Sequence, residues 1–298
     1  MRMACMLAIL LTALLAPCAR AATPPTHVTG KLLADTSAIQ PGATFTLAVT
    51  LTIDPDWHIY WTNPGDSGTP TQITFDLPTG FTAAPVQFPL PIQFNQPGDI
   101  VGYGYRNAAT FTARITASSE LPLGQNFTLK ARVSWLCCKD VCIPGSTTLD
   151  ITLPSADQPT PANAALFKQA AAAMPIAAAD DPNFAGKMIA MKPIADHSAT
   201  DVSLSLQWKA PPVKVEVFPT AVDNLEISAL KISAPAFHTQ ISFTVRLLAA
   251  QKLKSSDLPL LIVYIDREGV RHGFFLAPQL AVDTSLLSSP HEFETATH

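Results

Sequence analysis

Thr44-Phe45-Thr46-Leu47-Ala48-Val49-Thr50-Leu51-Thr52-Ile53 alternates without a break. Phe45, Leu47, Val49, Leu51 and Ile53 fall on one face, and Thr44, Thr46, Ala48, Thr50 and Thr52 on the other. A period of two over this length marks a strand buried on one side, because successive side chains leave an extended backbone on opposite faces. Phe127 to Trp135 repeats the pattern, with Phe127, Leu129, Ala131, Val133 and Trp135 opposing Thr128, Lys130, Arg132 and Ser134. Val28 to Leu33, Gln72 to Phe75, Thr110 to Thr116 and Thr147 to Leu153 are further candidates. Short strands separated by Pro, Gly, Asn and Asp turns predict a β-sandwich rather than an αβ fold. The 27 prolines and the low charged fraction of 14% agree with an all-β chain whose prolines sit in turns.

Residues 154–186 interrupt the alternation. Pro154 to Pro161 reads as a linker, Ala162 to Ala173 as a short Ala-rich helix stopped by Pro175, and the stretch through Asp180-Asp181-Pro182 as a solvated loop. From Lys187 strands resume: Val202 to Trp208, Val213 to Phe218, Leu225 to Ile232, Gln240 to Leu247, Leu258 to Ile265 and Val270 to Phe275. Asp266-Arg267-Glu268-Gly269 suits a hairpin turn. The expected architecture is all-β, with two β-sandwiches, 22–153 and 187–298, joined by a short helical linker over 154–186.

Residues 1–21 read as a cleavable signal peptide, with Arg2 at the start, an apolar run from Met6 to Leu15, and Ala19-Arg20-Ala21 as the cleavage site. The apolar run is far shorter than the roughly 20 residues a membrane helix needs. Its removal takes away Arg2 and Arg20 and no acid, moving the formal charge from −4 to −6. An acidic chain without a basic run argues against nucleic acid as a partner. The expectation is an exported protein.

Cleavage would leave Cys137, Cys138 and Cys142 as the cysteines, within Trp135-Leu136-Cys137-Cys138-Lys139-Asp140-Val141-Cys142-Ile143-Pro144. Such a cluster in an exported protein points to redox or metal chemistry. Alternation continues Val133, Trp135 and Cys137 on the inward face, making Cys137 a buried small hydrophobe and turning Cys138 the other way. Four extended steps would separate Cys138 and Cys142 by about 13 Å, whereas a disulfide needs Cα atoms about 4.4 to 6.8 Å apart. If the two are bonded, the chain must turn through Lys139-Asp140-Val141, as a tight hairpin or a helical turn. A loop this short gains little unfolded-state entropy from closure, which favours a reducible bond over a structural staple.

A second segment is Trp57-His58-Ile59-Tyr60-Trp61-Thr62-Asn63-Pro64-Gly65-Asp66-Ser67-Gly68-Thr69-Pro70. With Tyr103-Gly104-Tyr105 and the cysteine run, it resembles the N-terminal periplasmic region of the DsbD and ScsB family of thiol:disulfide interchange proteins, most closely the ScsB-like branch. The resemblance spans about residues 25 to 290. It implies immunoglobulin-like sandwiches and one redox cysteine pair, Cys138 and Cys142, with Cys142 forming the mixed disulfides. It further implies a protein-disulfide reductase or electron relay, with a separate membrane electron-transfer protein or a thioredoxin-like protein as donor. Oxidised periplasmic proteins would be the acceptors. Cys137 departs from the family pattern, where an apolar residue precedes the pair. The family's membrane and thioredoxin-like domains are not in this sequence, hence the expectation of a separate donor.

Trp57, His58, Tyr60, Trp61 and Asp66 are candidates for shielding or tuning the sulfurs, from a loop within Trp57 to Pro70. The same aromatics would also serve as sandwich core, His58 as a structural histidine and Asp66 as a turn residue. Two other functions compete. Cys138 and Cys142, with Cys137 or His58, would suit soft Cu(I). A non-catalytic envelope interaction module would instead hold an inert structural disulfide. No Gly-rich phosphate loop follows a strand, and H-E-x-x-H and G-x-S-x-G are absent, so no cofactor is called for.

Overall fold

A computed structural model describes residues 27–194, 199–222, 225–248 and 259–276. The signal-peptide segment 1–21 lies outside the described residues. The first half supplies β1 (Val28–Ala34), β2 (Thr44–Ile53), β3 (His58–Gly65), β4 (Gln72–Asp76), β5 (Phe81–Ala83), β6 (Ile92–Gln96), β7 (Ile100–Arg106), β8 (Ala108–Ala117), β9 (Asn126–Cys138) and β10 (Cys142–Pro154). After the helix α1 (Ala164–Ala172) come β11 (Ile176–Ala177), β12 (Phe184–Pro193), β13 (Ala199–Trp208), β14 (Lys214–Pro219), β15 (Leu225–Ser233), β16 (His238–Leu247), β17 (Leu260–Ile265) and β18 (Arg271–Leu276). The fold is all-β and sandwich-like, as the alternation predicts.

Two sheets face each other in the first half, ordered β1-β2-β8-β5 and β10-β9-β3-β7-β6, with β4 pairing β9 alongside β3. The predicted inward residues Leu47, Val49, Leu51, Leu129, Ala131 and Trp135 all lie in the core between them. In the second half the sheets are β11-β18-β17-β14 and β12-β13-β16-β15, closing on Leu204, Leu206, Trp208, Ile241, Phe243 and Phe274. The turn after β17 forms where expected: Asp266 N donates to Val270 O at 3.0 Å, and Gly269 takes a left-handed φ of +80°.

Three local expectations change. Trp57 to Pro70 is mostly strand, because β3 is hydrogen-bonded between β7 and β9. Residues 176–177 pair in parallel with Phe274–Phe275 of β18, so the segment after Pro175 adds an edge to a sheet. Asp181 is 4% exposed rather than solvated. Its carboxylate accepts hydrogen bonds from Asn183 N at 2.9 Å, Phe184 N at 2.8 Å and the Tyr264 hydroxyl at 3.2 Å. A buried carboxylate needs such donors to offset its lost hydration.

The halves share apolar packing. Leu260, Ile262 and Tyr264 of β17 point into the second core, while Leu261 and Val263, with Phe218 of β14, join the first. β17 is thus buried on both faces, which accounts for its unbroken apolar sequence. No helix among the described residues is long and apolar enough to cross a membrane.

Candidate redox site

The cysteines sit at the tip of the β9–β10 hairpin. Register pairs Cys142 with Cys138, and three residues, Lys139-Asp140-Val141, close the turn, with Lys139 N donating to Val141 O at 3.1 Å. Of the two geometries the spacing allows, the chain takes the hairpin. Directly opposed residues share one face, and a Cys138–Cys142 disulfide joins them with a Cα–Cα distance of 4.2 Å. Just below the tip, the Trp135 indole lies across its cross-strand partner Gly145, where any side chain would collide with it.

Alternation divides the cluster as expected. Cys137 is 0% exposed and packs in the core with Val133 and Trp135, whereas Cys138 faces the outer side of the sheet. Cys138 is nonetheless buried, at 2% exposure, while Cys142 is exposed and the adjoining Val141 is 61% exposed. One sulfur of the pair therefore faces solvent and the other is covered.

The cover is built from β3, β6 and β7. His58 stands opposite Cys138 on one side and Arg106 on the other, so Cys142, Cys138, His58 and Arg106 form a row across four strands. Two residues along β3, Tyr60 projects on the same face; Tyr60, Phe94 and Cys138 make a small cluster apart from the main core. The Phe94 ring occupies the space over Gly102, its partner on β7. It meets the His58 ring at a centroid distance of 4.2 Å, and the Arg106 guanidinium lies 5.3 Å from its centroid. Gln96 Nε2 donates to the Tyr60 hydroxyl at 3.0 Å, which lies 3.2 Å from His58 Nε2, and Ser67 Oγ donates to Gln96 Oε1 at 3.2 Å. Gly68, with φ +109°, lies against the Tyr60 ring. The turn-rich end of Trp57 to Pro70 thus backs Tyr60 rather than reaching the sulfurs.

A family model described as the N-terminal region of thiol:disulfide interchange protein DsbD matches residues 29–154. Residues 29–154 form a DsbD/ScsB-like N-terminal domain. No curated protein sequence matches the chain. Among solved structures, the chain is similar to the N-terminal periplasmic domain of ScsB from Proteus mirabilis. That likeness has 17% identity and a TM-score of 0.63, covering 87% of this chain and 96% of the other. It is a likeness of fold and extends through both sandwiches. The N-terminal domain of DsbD from Neisseria meningitidis in its reduced form also matches, at 13% identity and a TM-score of 0.26, over 44% of this chain and 89% of that one.

Within the DsbD-like domain, the residues singled out from sequence separate by strand face. His58 and Tyr60 belong to the cover. Trp61, the next residue, points the opposite way into the core, against Phe218, with ring centroids 6.1 Å apart. Trp57 stacks on His27 at 3.8 Å and packs against the first core, where Tyr103 and Tyr105 also lie. Asp66 pins the end of β3 to β7: its carboxylate accepts from Val101 N at 2.8 Å, and its own N–H donates to Val101 O at 2.9 Å. Trp57, Trp61 and Asp66 are therefore not shields of the sulfurs, because alternation and the turn after Gly65 carry them elsewhere. Phe94, Gln96 and Arg106 complete the cover and escaped the sequence reading. Their trace there is Gly102-Tyr103-Gly104-Tyr105, where glycine at every second position leaves one sheet face bare for a neighbouring ring.

Burial, helped by the nearby Arg106 charge, pulls His58 down to about 4. It is neutral at ordinary pH and supplies no cation to a thiolate. Burial, with a smaller contribution from Asp54, pushes the Cys137 thiol up to about 11, leaving it protonated and unreactive. Lys139 Nζ pairs with Asp56 at 3.0 Å, tying the hairpin tip to the turn before β3. Cys137 faces away from Cys138 and Cys142, so the three thiols do not converge, whereas His58, the other ligand the copper alternative offered, stands opposite Cys138. Among the described residues no three His, Cys, Asp or Glu side chains are grouped to hold a metal ion.

Proposed function

We propose that this chain is a periplasmic thiol:disulfide interchange protein that relays electrons through Cys138 and Cys142. The supporting observation is the asymmetry of the pair, one sulfur exposed at a hairpin tip and its partner under Tyr60 and Phe94. Exchange requires in-line attack on a sulfur, so an exposed Cys142 beside a covered Cys138 directs partners to Cys142. The DsbD-type sequence match over the same sandwich supports the same chemistry.

In the reductive half, a donor thiolate attacks Cys142 Sγ, the Cys138–Cys142 bond breaks, and Cys138 leaves as a thiolate that takes up a proton. The donor's second thiolate then attacks the donor sulfur of the mixed disulfide. Cys142 is released, the donor leaves as a disulfide, and two electrons have entered the protein. In the second half the Cys142 thiolate attacks an acceptor disulfide and expels one acceptor thiolate. Cys138 then attacks Cys142 Sγ and expels the other, restoring the bond with the acceptor reduced. The donor is a membrane or thioredoxin-like dithiol partner, and the acceptors are oxidised periplasmic proteins. The chain is organised as a signal peptide (1–21), a redox sandwich (22–153), a linker (154–186) and a second sandwich (187–298).

Trapping tests this. A Cys138→Ser variant should accumulate mixed disulfides through Cys142, and a Cys142→Ser variant far fewer. Failure of both variants to capture any partner would overturn the relay.

A further inference from the structure

We propose that the second sandwich braces the cover over Cys138, with Phe218 and Arg271 as the positioning residues. The inference goes beyond the exchange reading and concerns what the second sandwich contributes to the site.

The strands that carry Tyr60 and Phe94, β3 and β6, are both held from the second half. On β3, the Trp61 ring meets Phe218 edge-on, with an interplanar angle of 74°, and the same phenylalanine meets Tyr103 of β7 at 5.1 Å. Trp61 follows Tyr60 on the opposite face of the strand, so a wedge under Trp61 sets the height at which Tyr60 stands over Cys138. Asn63 Nδ2 donates to Pro219 O at 2.8 Å, fixing β3 a little further along. Phe218 is fully buried with Leu261 and Val263 in the first core, which makes the wedge stiff.

The second tie is at the entry to β6. Leu90 N donates to Ala173 O at 2.8 Å, just beyond α1, and the Leu90 side chain lies against Gly273 of β18. Arg271 donates to Pro91 O at 2.7 Å and to the Glu216 carboxylate at 2.9 Å. Pro91 is the residue before β6, which presents Phe94 and Gln96. The charged hydrogen bonds of Arg271 therefore lock the root of the strand that covers Cys138 to a strand pair of the other sandwich. None of these contacts involves a cysteine. Their effect on the site is geometric: they restrict how far Tyr60 and Phe94 swing off the sulfur.

The reactivity of Cys138 reads this directly in full-length Cys142→Ser protein, where its thiol is free and no exchange is needed. N-ethylmaleimide labelling is followed by fragmentation sequencing of the Val133 to Lys139 peptide, which separates Cys138 from Cys137. Adding Phe218→Ala or Arg271→Ala should accelerate Cys138 labelling about fivefold or more through easier opening of the cover. Arg271→Lys, which keeps the charge and one donor, should restore most of the protection. Phe243→Ala, a comparable loss of packing in the second core away from the interface, should leave labelling at the parent rate. If Phe218→Ala does not fold, Arg271→Ala, at a partly exposed interface position, carries the test alone. Unchanged labelling in the Arg271 variant would overturn the brace, as would equal acceleration by Phe243→Ala. A failure of partner trapping would leave this measurement untouched, so the two readings fall separately.

Discussion

His58 stands directly opposite Cys138 in the β3–β9 ladder, its ring held between Phe94 and the Tyr60 hydroxyl. Because burial holds it at about 4 in the folded protein against an ordinary value of 6.5, folding and protonation oppose each other there. Above pH 6.5 the ring is neutral in both folded and unfolded chains. As pH falls below 6.5 the unfolded chain takes the proton first, and stability drops until the folded ring also protonates near 4. The full loss is about 3 kcal/mol. Urea unfolding from pH 7.5 to 5 should show this decline, and His58→Gln should flatten it. An equally steep decline in the variant would remove His58 from the account.

Phe94 packs with Tyr60 over Cys138, so its removal should change which sulfur reacts. With N-ethylmaleimide and the reduced protein, adducts should form on Cys142 in the parent. In Phe94→Ala, Cys138 should also be modified, its rate rising about tenfold for a loss of about 1.4 kcal/mol of shielding. Peptide mapping of the adducts distinguishes the two sites. Exclusive modification of Cys142 in the variant would mean that the sheet itself, not the ring, hides Cys138.

Cys137 should behave as core. Its thiol, held protonated by burial, should resist alkylation in the native reduced protein and react only on unfolding. Cys137→Ser should keep partner trapping while losing about 1 to 3 kcal/mol of stability, because a hydroxyl enters an apolar site. Denaturant titration beside the trapping assay separates the two effects.

Gly145 leaves the space that the Trp135 indole fills; a Cβ there would sit 2.5 Å from Trp135 Nε1 and 2.6 Å from Cε2. Gly145→Val should displace the ring and cost about 1 to 3 kcal/mol. A shift in tryptophan emission would accompany a lower unfolding midpoint. An unchanged midpoint would show that the hairpin relaxes around the new side chain.

The positions that sequence placed well are those with uninterrupted alternation. β2 is found over the expected residues, Thr44–Ile53, and β9 extends through the cysteines with Cys137 inward and Cys138 outward. β3 was hidden because Asn63-Pro64-Gly65 carries turn chemistry. The sheet tolerates it since the register with β7 shifts between Tyr60 and Gly65, so Pro64 falls where no regular ladder bond is required. Asp181 was misread for a related reason: adjacent acids look solvated until Tyr264, far along the chain, closes over one of them.

By itself the sequence determined which side chains share a strand face, and hence that Cys137 is core while Cys138 turns outward. Those are consequences of a two-residue period and need no knowledge of neighbours. What covers Cys138 was decided by tertiary structure alone. Phe94 and Tyr60 meet over that sulfur only because β6, β7, β3 and β9 lie side by side, and Phe218 and Arg271 reach the cover only because the second sandwich docks there. Such contacts follow from long-range pairing and shared burial, which leave no local period in the chain to be read.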